Sequence, residues 1–142
     1  MKAPPPPRPV RETHLHEAVA DLLESIVKLP AMWTCFPAGN TPLPRAYAVK
    51  LARMGLKTGW PDFLIVHGKP YGIELKTVRG RLSKSRYVAA RGGRTRFVPG
   101  QEDVLADLEG AGMQICIARA IEDVLAALQA WQIPTRGVRL AA

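Results

Sequence analysis

The tightest constraint on how this chain folds lies between Phe63 and Val78. Phe63 to Val66 are four apolar residues in a row, and His67-Gly68-Lys69-Pro70 breaks the run. Tyr71 to Val78 then alternates, with Ile73 and Leu75 on one face and Glu74 and Lys76 on the other. Two such runs joined by Gly and Pro read as a β-hairpin. Because strand side chains alternate, Glu74 and Lys76 project together while Leu75 anchors the opposite face. On its own, this acid–base pair would read as an exposed ion pair on an edge strand.

Asp62 changes that reading. It precedes the first strand by one residue, so antiparallel pairing returns it to the neighbourhood of Glu74 and Lys76. Loop parity decides whether they meet. If His67 paired with Pro70 across a two-residue loop, Asp62 would face Leu75 and point away from Glu74. An odd loop or a bulge is needed, and a three-residue loop sets Asp62 opposite Glu74 or Lys76. Two carboxylates so placed share a divalent cation through oxygen ligands at ~2.0–2.6 Å. Lys76 stands beside a bound phosphate. That division of work suits phosphodiester hydrolysis, in which a metal polarises the phosphate and a cation stabilises developing negative charge.

The rest of the chain supplies a setting for this hairpin. From about Glu12 to Leu29, Leu15, Val19, Leu22 and Ile26 recur at helical spacing, and Pro30 stops the pattern. Trp33 to Phe36 reads as a short strand, followed by a loop rich in Pro and Gly and a second helical stretch at about Ala46 to Met54, closed by Gly55. Arg79 to Gly100 is polar, basic and glycine-containing. Gln101 to Glu109 reads as a helix, Met113 to Ala118 as a strand and Ile121 to Trp131 as the last helix. The expected organisation is a Pro-rich extended arm over 1–11, one domain over 12–131 and a tail over 132–142. The fold class expected is α/β, a mixed sheet flanked by helices.

Charge points to a partner. Twenty Lys and Arg against 12 Asp and Glu give +8, which favours a polyanion because each neutralised phosphate releases counterions. Nucleic acid leads, with an acidic membrane surface as the weaker alternative. Cys35 and Cys116 have neither zinc-site nor disulfide-framework spacing and read as reduced, buried hydrophobes. No segment has the apolar length to span a bilayer and the N-terminus lacks a secretory pattern, so the expectation is a cytoplasmic chain with no membrane partner.

The ordered set Gly55-x-x-x-Gly59-Trp60-Pro61-Asp62, Ile73-Glu74-Leu75-Lys76 and Gly80-Arg81-Leu82-Ser83 resembles the VRR-NUC family of the PD-(D/E)XK nuclease superfamily, in its stand-alone bacterial or phage form. The resemblance extends over roughly Glu12 to Trp131. It implies a restriction-endonuclease-like core and a DNA endonuclease dependent on Mg²⁺ or Mn²⁺, acting on branched or structured DNA such as a flap or Holliday junction, in DNA repair. It implies that Asp62, Glu74 and the backbone carbonyl of Leu75 ligate the metal, that Lys76 is the catalytic lysine, and that the protein works as a homodimer. Members also carry a glutamate at the start of the first helix, four residues before a Gln or His, which selects Glu12 with His16. Glu17 is the competitor, but at 100° per residue Glu12 and His16 flank the apolar stripe whereas Glu17 falls almost opposite it. Glu12 is then a second-metal or water-binding catalytic residue, or more simply a carboxylate favoured by the helix dipole. His16 is expected to hydrogen-bond near the metal.

Gln101 matches a glutamine that relatives reach within a few residues of the serine, but this chain inserts Lys84 to Gly100 between them. That insertion, with Arg86, Arg91, Arg94 and Arg96 interleaved by Tyr87 and Phe97, reads as a solvated loop, a flexible decoration or a nucleic-acid contact, and contact is preferred. Arg45, Lys50, Arg53 and Lys57 form another basic cluster, and with Arg81, Ser83 and Lys84 they complete the expected backbone contacts. Two alternatives stand beside the enzyme: a basic binding domain without turnover, and a nuclease subunit of a larger repair or restriction complex.

Overall fold

The structure, a computed structural model, describes residues 12–36 and 44–137, with the side chains of Glu12 and Thr13 outside that description. Residues 1–11, 37–43 and 138–142, and with them the expected Pro-rich arm and the expected loop after Phe36, also lie outside it.

Helix α1 (Glu12–Ile26) buries Val19 and Ile26 of the expected apolar stripe, with Leu15 and Leu22 half-buried beside them, and also buries Leu23, which the stripe did not include. It ends three residues short of the expected Leu29. Val27 leaves the helix to form an isolated bridge with Thr135, the Arg136 amide donates to the Ile26 carbonyl (2.7 Å), and the Lys28 amide donates to Pro134 (3.1 Å). The same contacts correct the expected tail: Ile133 is buried in the core and the chain stays attached as far as Arg136. A strand-like partner for Val27 outweighed one more helical turn.

Four strands form a mixed sheet in the order β1-β2-β3-β6, comprising β1 (Met32–Cys35), β2 (Phe63–His67), β3 (Lys69–Leu75) and β6 (Gln114–Ala118). β1 and β3 flank β2 antiparallel, and β6 runs parallel to β3. On one face Phe63, Ile65, Tyr71, Ile73 and Leu75 pack with α1 and with α4 (Ile121–Ala130), whose Val124 and Leu128 are buried. Helix α3 (Gln101–Gly110) lies on the opposite face, where alternation sends Glu74, Ile115 and Ile117. Helix α2 (Arg45–Arg53) buries no residue and ends at Met54 before Gly55, whose φ of +101° needs glycine.

The basic insertion is not a loop. It forms a second, two-stranded sheet from β4 (Arg86–Ala89) and β5 (Thr95–Val98), closed by a turn over Arg91–Gly93. None of the described helices is long and apolar enough to cross a membrane.

Candidate active site

The β2–β3 hairpin has the odd parity that brings the charged residues together. His67 is opposite Lys69 and Val66 opposite Pro70, so Gly68 alone lies between the strands rather than the three residues expected, and its φ of +73° is a left-handed value that costs glycine nothing. The register runs back to Phe63 opposite Ile73, so its next step sets Asp62 opposite Glu74. There the ladder stops. Pro61 is fully buried over Gly72, where a Cβ would come within 2.6 Å of the proline ring. Gly72 therefore has to be glycine for Pro61 to seat and for Asp62 to follow it. With no strand left to pair with, the Leu75 amide donates to Asp62 Oδ2 at 2.8 Å. The Leu75 carbonyl leaves the strand on the same edge as its amide.

Glu74, Asp62 and Lys76 are 2 %, 6 % and 9 % exposed. Such burial of charge requires partners. Glu74 Oε1 accepts from Gln101 Nε2 at 2.7 Å and lies 3.3 Å from Lys76 Nζ, whereas buried Oε2 has no hydrogen-bond partner among the described residues. Burial first, and then the Asp62 charge, push the Glu74 carboxyl from 4.5 up to about 7, against the opposing pull of Lys76 and Gln101. A carboxylate poised near neutrality, with one oxygen unused beside a second carboxylate, is a place where a cation would relieve both desolvation and like-charge repulsion. Among the described residues no cluster of three or more His, Cys, Asp and Glu is assembled, so the fit to a hard cation rests on two carboxylates and a backbone carbonyl. That donor set is oxygen-only, as Mg²⁺ and Mn²⁺ prefer. The Glu12 side chain, the expected third carboxylate, lies outside the described residues.

His16 lies beside Asp62 without bonding it. Its Nδ1 is 4.0 Å from Asp62 Oδ1, beyond hydrogen-bonding range, and is buried with no hydrogen-bond partner among the described residues, while its ring rests on Phe63 with centroids 4.4 Å apart. Position four after Glu12 puts it beside the site, but the apolar ring holds it. Glu17 is exposed.

Gln101 reaches Glu74 because the insertion closes on itself. Gly100, the N-cap of α3, has no side chain to cap the helix, and a Cβ there would lie 2.2 Å from the Lys84 carbonyl carbon. Ser83 caps instead, its Oγ accepting from the Gln101 amide (3.0 Å) and its carbonyl from Glu102 (3.1 Å). The Ser85 hydroxyl donates to Asp103 and accepts from the Gly100 amide. Ser83, expected among the nucleic-acid contacts, is thus engaged in positioning Gln101. Arg119 was not foreseen: its Nη1 donates to the carbonyls of Thr77 (2.6 Å) and Gly80 (2.7 Å), fixing the turn that follows Lys76. The signal was present in the parallel register, since Ala118 accepts from the Lys76 amide and Arg119 comes next.

The expected nucleic-acid contacts Arg45, Lys50 and Lys57, and likewise Arg81, Lys84, Arg86, Arg91, Arg94 and Arg96, are all exposed. None of them is brought into the carboxylate corner by any hydrogen bond or ion pair among the described residues. No family model, curated protein or solved structure matches the chain.

Proposed function

We propose that this chain is a metal-dependent deoxyribonuclease of the VRR-NUC type with a PD-(D/E)XK core, hydrolysing phosphodiester bonds in branched or structured DNA. The observation that carries the reading is the juxtaposition of Asp62 and Glu74 at the open end of the hairpin, where the Asp62 charge acts on Glu74, with a buried Glu74 oxygen that has no hydrogen-bond partner among the described residues and Lys76 3.3 Å from the other oxygen. A second observation supports it. The resemblance calls for a serine and a glutamine close in sequence, and here Ser83 and Gln101 are hydrogen-bonded at 3.0 Å across the whole insertion.

In this reading Asp62, Glu74 and the Leu75 carbonyl hold Mg²⁺ or Mn²⁺, with Glu12 as a further ligand. The ion, when bound, supplies Lewis-acid polarisation of the phosphate and lowers the pKa of water. Gln101 holds Glu74 Oε1 so that Oε2 stays directed at the ligand. The Leu75 amide does the same for Asp62. Lys76, 3.3 Å from Glu74 Oε1, offers its ammonium to the phosphate oxygen on which negative charge grows. The +8 charge gathers DNA without reading bases. A binding domain without turnover would need that charge but not a buried carboxylate pair.

The test is a cleavage panel of labelled single-stranded, duplex, flap and four-way DNA with Mg²⁺ or Mn²⁺. Wild type should cut at least one branched form, and Asp62→Ala and Glu74→Ala should cut none while still binding DNA. Cleavage by either variant at the wild-type rate, in protein free of contaminating nuclease, would refute the ligand assignment. Sedimentation of the same preparations tests the homodimer that the resemblance implies.

A further inference from the structure

We infer that the β4–β5 hairpin is a stacking platform for unpaired bases, so that the DNA this protein takes carries a single-stranded arm beside the cleavage site. The inference rests on the nuclease reading and narrows its substrate.

Tyr87 and Phe97 are directly opposed across the hairpin, their ring centroids 5.3 Å apart and their planes tilted by 57°. They are 73 % and 53 % exposed. Val88 and Val98, on the other face with Arg86 and Arg96, are half-buried. The hairpin therefore turns its aromatic face, not its aliphatic one, to solvent. A cross-strand aromatic pair helps to hold an isolated hairpin, which is marginal by itself. That accounts for two large apolar side chains but not for their surroundings. From Thr77 to Gln101 the chain carries Arg79, Arg81, Lys84, Arg86, Arg91, Arg94 and Arg96 and no Asp or Glu. Arg91 and Arg94 sit in the turn just beyond Ala89 and Thr95, the residues that continue the aromatic face.

Exposed rings framed by cations, with no anion in the segment, match the chemistry of a nucleic-acid strand whose bases stack while its phosphates meet arginines. Only unpaired bases expose their π-faces to such rings; in a duplex the bases already stack on one another. The platform is also tied to the site. Ser83 and Ser85 at its base hold the start of α3, and the first residue of α3, Gln101, holds Glu74. The base of the hairpin is thereby anchored beside the residue that holds Glu74.

The test is binding without cleavage. Affinities of the full chain for fluorescein-labelled oligo(dT) of about 12 nucleotides, a length within known single-strand site sizes, and for a blunt duplex of equal length are measured in EDTA. Wild type should bind oligo(dT) at least as tightly as duplex. Tyr87→Ala/Phe97→Ala should weaken oligo(dT) binding about tenfold or more, from the loss of one to two stacked bases, and change duplex binding less than about twofold. Tyr87→Ile/Phe97→Ile keeps a β-favouring apolar pair across the hairpin, so it separates stacking from hairpin folding. It should lose oligo(dT) binding as the alanine variant does. If the isoleucine pair binds oligo(dT) like wild type, the rings only staple the hairpin and the inference is wrong. Equal losses on both DNAs, or a wild-type preference for duplex, would overturn it too. Because no metal is present, these results stand apart from the nuclease reading, which fails separately if no panel substrate is cut.

Discussion

The carboxylate corner and the β4–β5 hairpin are both built from charge, and they use it in opposite ways. At the corner three ionisable side chains are 9 % exposed or less, placed by the seat of Pro61 on Gly72, by strand alternation and by the Gln101 side chain that holds Glu74. In the hairpin the arginines are exposed, on two short strands and a turn. A buried charge is worth or costs several kcal/mol according to its partners, whereas an exposed one is screened within about 10 Å at ordinary salt. Substitution at the corner should therefore act all at once, and substitution in the hairpin by small, additive steps.

The sharpest contrast is expected within the corner. Lys76→Ala should lower turnover by about a hundredfold to a thousandfold, the range for removing one group that stabilises developing charge, yet leave Mn²⁺ binding within a few-fold by calorimetry. Glu74→Ala should abolish both. If Lys76→Ala loses metal as completely as Glu74→Ala, the lysine is organising the ligands, and corner and catalyst are one unit.

A smaller, graded response is expected of the hairpin. Neutralising Arg86, Arg91, Arg94 and Arg96 with glutamine should lower the salt dependence of DNA binding by up to ~0.9 in log–log slope for each lost duplex contact. Metal-dependent cleavage of saturating substrate should be kept. An unchanged slope in titrations at several salt concentrations would return the arginines to a solvated surface and remove the contrast.

The smallest effect is one of pH. The unfolded chain ionises Glu74 near 4.5, and the folded, metal-free protein holds that proton up to about 7. Between those values the folded state binds more protons than the unfolded state, so this group's contribution to stability falls as pH rises. Glu74→Gln should flatten the decline in Tm between about pH 4.5 and pH 7 by a few degrees. Since cations bind the ionised carboxylate, the Tm gain on adding Mn²⁺ should grow from about pH 6 to about pH 8 in wild type and vanish in the variant. A Tm profile shared by wild type and Glu74→Gln would mean that Glu74 is solvated in solution.

The corner was legible in the sequence because strand alternation and loop parity are rigid rules. Glu74 and Lys76 had to share a face, and only an odd loop or a bulge could bring Asp62 to them. The hairpin was not legible. Arg86-Tyr87-Val88-Ala89 and Thr95-Arg96-Phe97-Val98 do alternate, but arginine at two of those positions dilutes the apolar signal, and the residues between them read as a loop. His16 and Ser83 were expected near the site, but their contacts with Phe63 and with the Gln101 amide were not foreseen, since a helix or loop position leaves the side chain free to choose. Val27 and Ile133 were misread because their contacts join chain segments that no local pattern connects.

The crowding at Gly100 has a further consequence. The chain leaves the main fold at Lys84 and re-enters it at Gly100, and these two points are in backbone contact, locked by Ser83 and Ser85. Whatever is spliced between them hangs from a closed neck. A piece attached in this way can be lengthened, trimmed or exchanged while Gln101 keeps its grip on Glu74, so the hairpin is free to evolve at a different tempo from the carboxylate corner.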